Sequence, residues 1–78
     1  MLYEGKVEIR FEGPGSKSEG RYAHLIMDKK DYVLYRENIP VANDVFFEIY
    51  DGLKVQIQGE AQERVHYLHV QSIRIIEK

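Results

Sequence analysis

The stretch NDVFFEIYDG, residues Asn43–Gly52, has the pattern of a short helix in a chain whose other apolar residues mostly alternate as they do in strands. Asp44 is a good N-cap residue, because its carboxylate accepts hydrogen bonds from the unpaired amides of a first helical turn. Gly52 readily adopts the left-handed conformation that ends many helices. Three apolar residues of the stretch recur at i, i+3 and i+4, namely Phe46, Ile49 and Tyr50. This spacing predicts one apolar stripe, and because a helix over Asp44–Asp51 is too short to be stable alone, we expect the stripe to pack into a core.

Segments on both sides of this helix alternate with a period of two and predict five strands. In chain order the predicted strands are GKVEIRF, RYAHLIM, YVLYR, LKVQIQG and VHYLHVQSIRII. The short polar turn DKKD predicts a hairpin between the second and third strands, and EAQER predicts a turn between the fourth and fifth. The apolar parity of the last strand changes near Gln71–Ser72, which predicts a β-bulge.

The chain of 78 residues is long enough for one domain, residues 1–78, and for no second one. Its content of 44% hydrophobic and 31% charged residues is typical of a globular protein. We expect the helix stripe to pack against the apolar faces of the strands. The predicted core residues on those faces are Val7, Ile9, Leu25, Val55, Ile57, Leu68 and Val70.

Composition and charge limit the classes of function. The chain contains no cysteine, which excludes disulfides, thiolate metal sites and thiol catalysis and fits a reducing compartment. The first ten residues, MLYEGKVEIR, carry charges throughout and lack the apolar segment of a signal peptide, so we expect a cytoplasmic protein. The formal net charge of −2 disfavours a highly basic protein that binds phosphates without regard to sequence.

The predicted order, three strands, a short helix and two strands, resembles the oligonucleotide/oligosaccharide-binding (OB) fold. The segment YDGLKVQIQGE is similar to the fourth strand of many OB domains, and YLHVQSIRII is similar to the fifth. The resemblance covers nearly the whole chain and implies an all-β, five-stranded Greek-key barrel with one short helix between strands 3 and 4. The chain resembles a small stand-alone OB domain of bacterial type, and the resemblance does not assign it to a specific family. An SH3-like barrel is the main structural alternative, but its single helical turn is shorter and comes later in the chain.

Motifs for catalysis, cofactors and metals are absent from the sequence. In GPGSKSEG, Ser16 takes the place of the glycine that must precede the lysine of a phosphate-binding loop, and a strand follows. His66 and His69 are separated by an odd number on a predicted strand, so we expect them on opposite faces and unable to hold one ion. No serine lies on a recognisable nucleophile elbow. We therefore expect no enzyme activity, no cofactor and no metal site.

Aromatic residues with basic neighbours, in RYAH and DKKDYVLYR, are the remaining functional signal. The OB resemblance implies a ligand surface on the second and third strands, where tyrosine rings stack on bases and cations hold the backbone. The predicted nucleic-acid-binding residues are Arg21, Tyr22, His24, Lys29, Lys30, Tyr35 and Arg36. Because Tyr32 and Tyr35 are separated by an odd number, we expect one of the two to point inward.

The sequence leaves more than one function open. Residues 1–36 contain seven Lys/Arg and six Asp/Glu, whereas residues 37–78 contain four and seven, and the more basic half favours weak binding of single-stranded DNA or RNA. The acidic second half and the apolar tail SIRII favour a protein partner or a homo-oligomer instead. Tyrosine stacking also permits a sugar or another small ligand. The first hypothesis is a non-catalytic OB module that binds single-stranded nucleic acid across strands 2 and 3, with no role at a membrane.

Overall fold

The computed structural model describes residues 1–77, and the predicted order of elements is confirmed. The elements are β1 (Leu2–Glu12), β2 (Gly20–Ile26), β3 (Asp31–Tyr35), a 3₁₀ helix (Val45–Tyr50), β4 (Lys54–Gln62) and β5 (Tyr67–Glu77). The predicted turn EAQER is wrong in its bounds. β4 continues through it as far as Gln62, because Glu60 and Ala61 pair with His69 and Leu68 of β5.

The five strands form one sheet that closes on itself in the order β1-β2-β3-β5-β4. Neighbouring strands are antiparallel except β3 and β5, which run parallel, with Leu34 opposite Leu68. The sheet closes through β1, because residues 2–6 of this strand pair with β4 and residues 6–12 pair with β2. The hairpin of β2 and β3 is confirmed, and in its turn the amide of Met27 donates to the carbonyl of Lys30 at 2.8 Å.

The core lies inside the closed sheet, where apolar side chains from all five strands meet. The buried apolar residues are Val7, Ala23, Leu25, Tyr32, Leu34, Phe47, Val55, Ile57, Leu68 and Val70. The strand residues predicted for the core are confirmed as buried, except Ile9, which is partly buried and packs against the others. Burial of large apolar side chains is the main stabilising contribution in a cysteine-free chain of this length.

The predicted helix is present, but its buried face differs from the predicted one. Its ends are confirmed: the Asp44 carboxylate accepts from the Phe46 amide at 3.1 Å, and Gly52 has a φ of +81°. The helix is of the 3₁₀ type, with three residues per turn, so side chains three positions apart share a face. Phe47 is fully buried, whereas Ile49 is 72% exposed. The expected packing of Phe46 and Ile49 into the core is therefore wrong.

The predicted bulge in the last strand is confirmed. Gln58 of β4 pairs with Ser72 of β5, whereas the next residue, Gly59, pairs with Val70, so Gln71 is an extra residue on β5. A bulge changes which face of the sheet the following side chains occupy and increases the local twist. Ile57 and its partner Ile73 therefore lie on the inner side of the sheet in spite of the parity change.

Candidate nucleic-acid interface

Three aromatic rings lie together on the outer face of β3 and β5. Tyr35 is the register partner of His69, and their rings are stacked with 5.1 Å between centroids and 26° between planes. The ring of Tyr67 is tilted by 55° toward Tyr35 at 5.9 Å. All three side chains are half-buried, so part of each ring is open to solvent. We call these residues the aromatic cluster (Tyr35, Tyr67 and His69).

The local sequence explains why these rings face outward. On β5 the alternation YLHV buries Leu68 and Val70 in the core and so places Tyr67 and His69 on the opposite face. The hydroxyl of Tyr35 is held by Gln62 on β4, whose Nε2 donates to it at 2.9 Å. Sequence reasoning identified Tyr35 but missed the two residues of β5. Their outward parity is visible in the sequence, but the parallel pairing of β3 with β5 that brings them to Tyr35 is not.

Tyr32 and Tyr35 point to opposite sides of the sheet, as their spacing predicts. Tyr32 is buried, and its ring packs edge-on against Tyr3 at 5.9 Å. Its hydroxyl donates to Glu63 at 2.7 Å, and Lys30 Nζ lies 3.2 Å from the same carboxylate. Two hydrogen bonds lower the pKa of Glu63: the one from Tyr32 has the larger effect, and the one from Lys30 comes second. Lys30 is therefore paired with an anion and supplies little net positive charge.

Two of the predicted cations also form ion pairs with carboxylates. Arg21 Nη2 donates to Glu48 Oε1 at 3.0 Å, and this hydrogen bond raises the pKa of Arg21. Arg36 donates to both carboxylate oxygens of Asp44, at 2.9 and 2.7 Å. A cation that already has a carboxylate partner attracts a phosphate less strongly than a free one. The positive charge expected on strands 2 and 3 is thus largely neutralised where Arg21, Lys30 and Arg36 lie.

The Arg36–Asp44 pair predicts a pH dependence of stability. The Asp44 side chain is only 4% exposed, and the hydrogen bonds from Arg36, followed by that from the Phe46 amide, hold the pKa of Asp44 below its ordinary value of 3.8. A carboxyl whose pKa is lowered by folding stabilises the folded state above the unfolded-state pKa and loses that effect as pH falls. We expect Asp44→Asn, which retains the N-cap, to reduce the free energy of unfolding by about 2 kcal/mol at pH 7.

The measurement is urea denaturation of both proteins between pH 7 and pH 3. The difference between wild type and Asp44→Asn is expected to be constant down to about pH 5 and to shrink toward pH 3. Glu48→Gln is the matched control, because it removes the carboxylate of an exposed ion pair and is expected to cost less than about 1 kcal/mol. A difference that does not change with pH would contradict the assigned role of the Asp44 charge.

The remaining β2 residues of the prediction lie on the outer face with different accessibility. Tyr22 is half-buried, and its hydroxyl donates to the carbonyl of Ser18 in the loop after β1. The ring of His24 is almost completely buried, and its Nε2 lies 3.0 Å from Glu12 Oε1. A buried ring cannot stack on a base, so the His24 ring is not itself part of the exposed surface. The residues that cover the ring form the surface at this position.

Two depressions flank the sheet, and neither contains the aromatic cluster. The smaller, of about 390 Å³, lies at the β2–β3 turn and is lined by Ile26, Met27, Lys29, Lys30, Asp31 and His66. The larger, of about 710 Å³, is an open groove lined by Glu4, Gly5, Lys6, Ile26, Met27, Asp28, Gly52, Lys54 and Glu77. Because the described residues that line the groove include no aromatic ring, it offers no stacking surface. Lys29, exposed at the edge of the smaller depression, is the predicted cation whose charge no described carboxylate pairs with.

Within residues 1–77, no group of three or more potential ligands is placed to hold a metal ion. None of the described helices is long and apolar enough to cross a membrane. No family model, no curated protein and no solved structure matches the chain. The resemblance to OB domains therefore stays a prediction.

Proposed function

We propose that the chain is a five-stranded Greek-key OB domain that acts in the cytoplasm as a non-catalytic module binding single-stranded nucleic acid. The strand order β1-β2-β3-β5-β4, the parallel β3–β5 contact and the helix between β3 and β4 support the OB assignment. The ligand surface is the outer face of β2, β3 and β5. The sequence predicts a ligand surface on strands 2 and 3 alone, whereas the surface proposed here extends onto β5.

The stacked pair of Tyr35 and His69 is the observation that carries the proposal. Each base of a single strand has an apolar π-face, and stacking on an aromatic side chain contributes about 1–3 kcal/mol per base without reading sequence. Tyr67 extends the cluster along β5, so that neighbouring bases meet more than one ring. Affinity is expected to come mainly from stacking, because the nearby arginines are held by carboxylates.

The test is a fluorescence-anisotropy titration of labelled single-stranded DNA and RNA at about 50 and 200 mM salt. With about one to two effective phosphate contacts, the affinity is expected to fall only about three- to sevenfold over this range. We expect Tyr35→Ala and His69→Ala each to weaken binding by about five- to a hundredfold, because each substitution removes the stacking of one base. Circular dichroism and thermal melting would show that both variants are folded.

Phe11→Ala is the matched control for these two variants. Phe11 is an exposed aromatic residue of β1, on the same side of the strand as Val7 and so away from the outer face that carries the aromatic cluster. Its removal is expected to leave the affinity unchanged. Absence of binding at 50 mM salt, or equal loss for Phe11→Ala and Tyr35→Ala, would contradict the proposal.

A contact with another protein is a second candidate function, favoured by one specific observation. The 3₁₀ helix exposes apolar side chains that take no part in the core, including Val45 and Ile49. Exposed apolar groups that cluster together are typical of sites of protein contact.

A further inference from the structure

A carboxylate on β4 adjoins the aromatic cluster. Glu60 is the register partner of His69, and its side chain is exposed. Gly59 is buried and Ala61 packs against the core, so the alternation of the strand places Glu60 between them on the outer face. Directly opposite residues of an antiparallel pair have Cβ atoms about 4.5–5.5 Å apart. A base stacked on the His69 ring is therefore within reach of the Glu60 side chain.

The charge of Glu60 is not neutralised by a partner. Among residues 1–77, no cation forms an ion pair with its carboxylate. Glu48 differs in this respect, because it holds Arg21 at 3.0 Å. An ionised carboxylate repels phosphate groups and accepts hydrogen bonds. Beside a stacking surface, Glu60 therefore favours a base edge that carries donors and directs the phosphates of the strand away from β4.

Polar groups on the other sides of the aromatic cluster already have partners. Gln62, two residues further along β4, donates to the Tyr35 hydroxyl at 2.9 Å. Arg36, which follows Tyr35 in the chain, donates to both carboxylate oxygens of Asp44. Either group would have to give up its present partner before it could bond to a base in this way. Glu60 has no such bond to lose, so it is the side chain best placed to select among stacked bases.

Guanine is the base whose edge complements a carboxylate. Single-stranded bases are recognised on their Watson–Crick edges, and guanine carries two adjacent donors there, N1–H and the N2 amino group. These two donors match the two oxygens of a carboxylate, and charge-assisted bidentate hydrogen bonds are the strong ones. Adenine, cytosine and thymine each present one donor group on this edge. We propose that Glu60 makes the aromatic cluster prefer guanine, an inference that rests on the proposed binding of single-stranded nucleic acid.

Fluorescence-anisotropy titration of four labelled DNA strands tests the preference. Each strand has about 12 nucleotides, within the range that one OB fold binds. Three strands alternate thymine with guanine, hypoxanthine or cytosine, and the fourth contains thymine alone. We expect the guanine strand to bind about five- to tenfold more tightly than the thymine strand, the lower end for a bidentate contact, because Glu60 is exposed. Hypoxanthine lacks only the N2 amino group of guanine, so its strand stacks similarly and is expected to lose most of the preference.

Glu60→Gln tests whether this residue causes the preference. The amide keeps the size of the side chain but replaces one acceptor oxygen by a donor. The preference for guanine over thymine is therefore expected to fall to about twofold. Glu4→Gln is the matched control, because Glu4 is also an exposed strand glutamate but lies on β1, away from the aromatic cluster. It removes the same charge and is expected to leave the preference unchanged.

Three results would contradict the proposal in different ways. Equal affinity for the guanine and thymine strands would overturn the guanine preference and leave the proposed function standing. A preference that survives Glu60→Gln, or that Glu4→Gln reduces to the same extent, would overturn the role of Glu60. Absence of binding for all four strands at about 50 mM salt would overturn the proposed function, and the guanine preference with it.

Discussion

Phe47→Ala is expected to destabilise the protein by about 3–5 kcal/mol, the usual cost of removing a buried phenylalanine. The side chain is fully buried, and its ring packs edge-on against Phe46 at 5.1 Å. It is the one fully buried side chain of the helix, so its loss leaves a cavity that the described residues of the helix do not fill. Small domains have total stabilities near the lower end of about 5–15 kcal/mol, so a large fraction of the variant is expected to be unfolded.

Urea denaturation measures this loss, and two further variants make the result interpretable. Phe46→Ala changes the same residue type in the same helix, but Phe46 is partly exposed and contacts Arg36, so we expect a cost of only about 1 kcal/mol. Phe47→Leu retains most of the buried volume and should remain folded at a cost of about 1.5 kcal/mol or less. A larger loss for Phe46→Ala than for Phe47→Ala would mean that the helix has the α-helical face predicted from sequence.

The helix shows which part of a fold can be predicted from a short segment. The N-cap of Asp44 and the positive φ of Gly52 are local properties, and the sequence predicts both correctly. The buried face depends on the number of residues per turn, and in VFFEIY an α-helix and a 3₁₀ helix bury different phenylalanines. Both faces of the helix carry aromatic or aliphatic residues, so hydrophobic spacing alone does not distinguish them.

The strands are predicted more accurately because their period is simple. Alternation identifies the inward residues of β1, β4 and β5, and the change of parity identifies the bulge at Gln71. Leu34 and Tyr32, which are buried on β3, are not assigned to the core from sequence because both parities of YVLYR are apolar or aromatic. The strand β3 is short and lies between β2 and β5 in the sheet. Its inner face can therefore be assigned only when the order of the strands is known.

The candidate site is less predictable than the fold, since it depends on contacts between distant parts of the chain. The sequence shows the basic residues of β2 and β3, but their partners Glu48, Asp44 and Glu63 lie later in the chain, up to 33 residues away. Whether a cation is free or paired is decided by these contacts, and composition does not reveal it. The role proposed for His69 likewise depends on the β3–β5 pairing.

The close approach of β4 to β5 at Gly59 gives the second large expected effect. A Cβ atom added to Gly59 would lie 2.0 Å from the carbonyl oxygen of His69, which is far inside contact distance. Since that oxygen belongs to the backbone of the neighbouring strand, no side-chain rotation relieves the overlap. The strands must separate beside the bulge at Gln71, where the ladder is already interrupted. We expect Gly59→Ala to lower the free energy of unfolding by roughly 3 kcal/mol, the upper end of the usual cost of overpacking.

Gly20→Ala is the matched comparison for Gly59→Ala, because both glycines lie in strands and neither has a positive φ. A Cβ atom on Gly20 would approach the side-chain amide of Asn43 at 2.9 Å, and a side chain is able to move away at smaller cost than a strand. Both substitutions restrict the unfolded chain to a similar extent, so this contribution cancels in the difference between them. The difference in urea midpoint therefore compares the backbone contact at Gly59 with the side-chain contact at Gly20. If the two variants were equally stable, β4 and β5 would have to be farther apart at Gly59 than the fold described here requires.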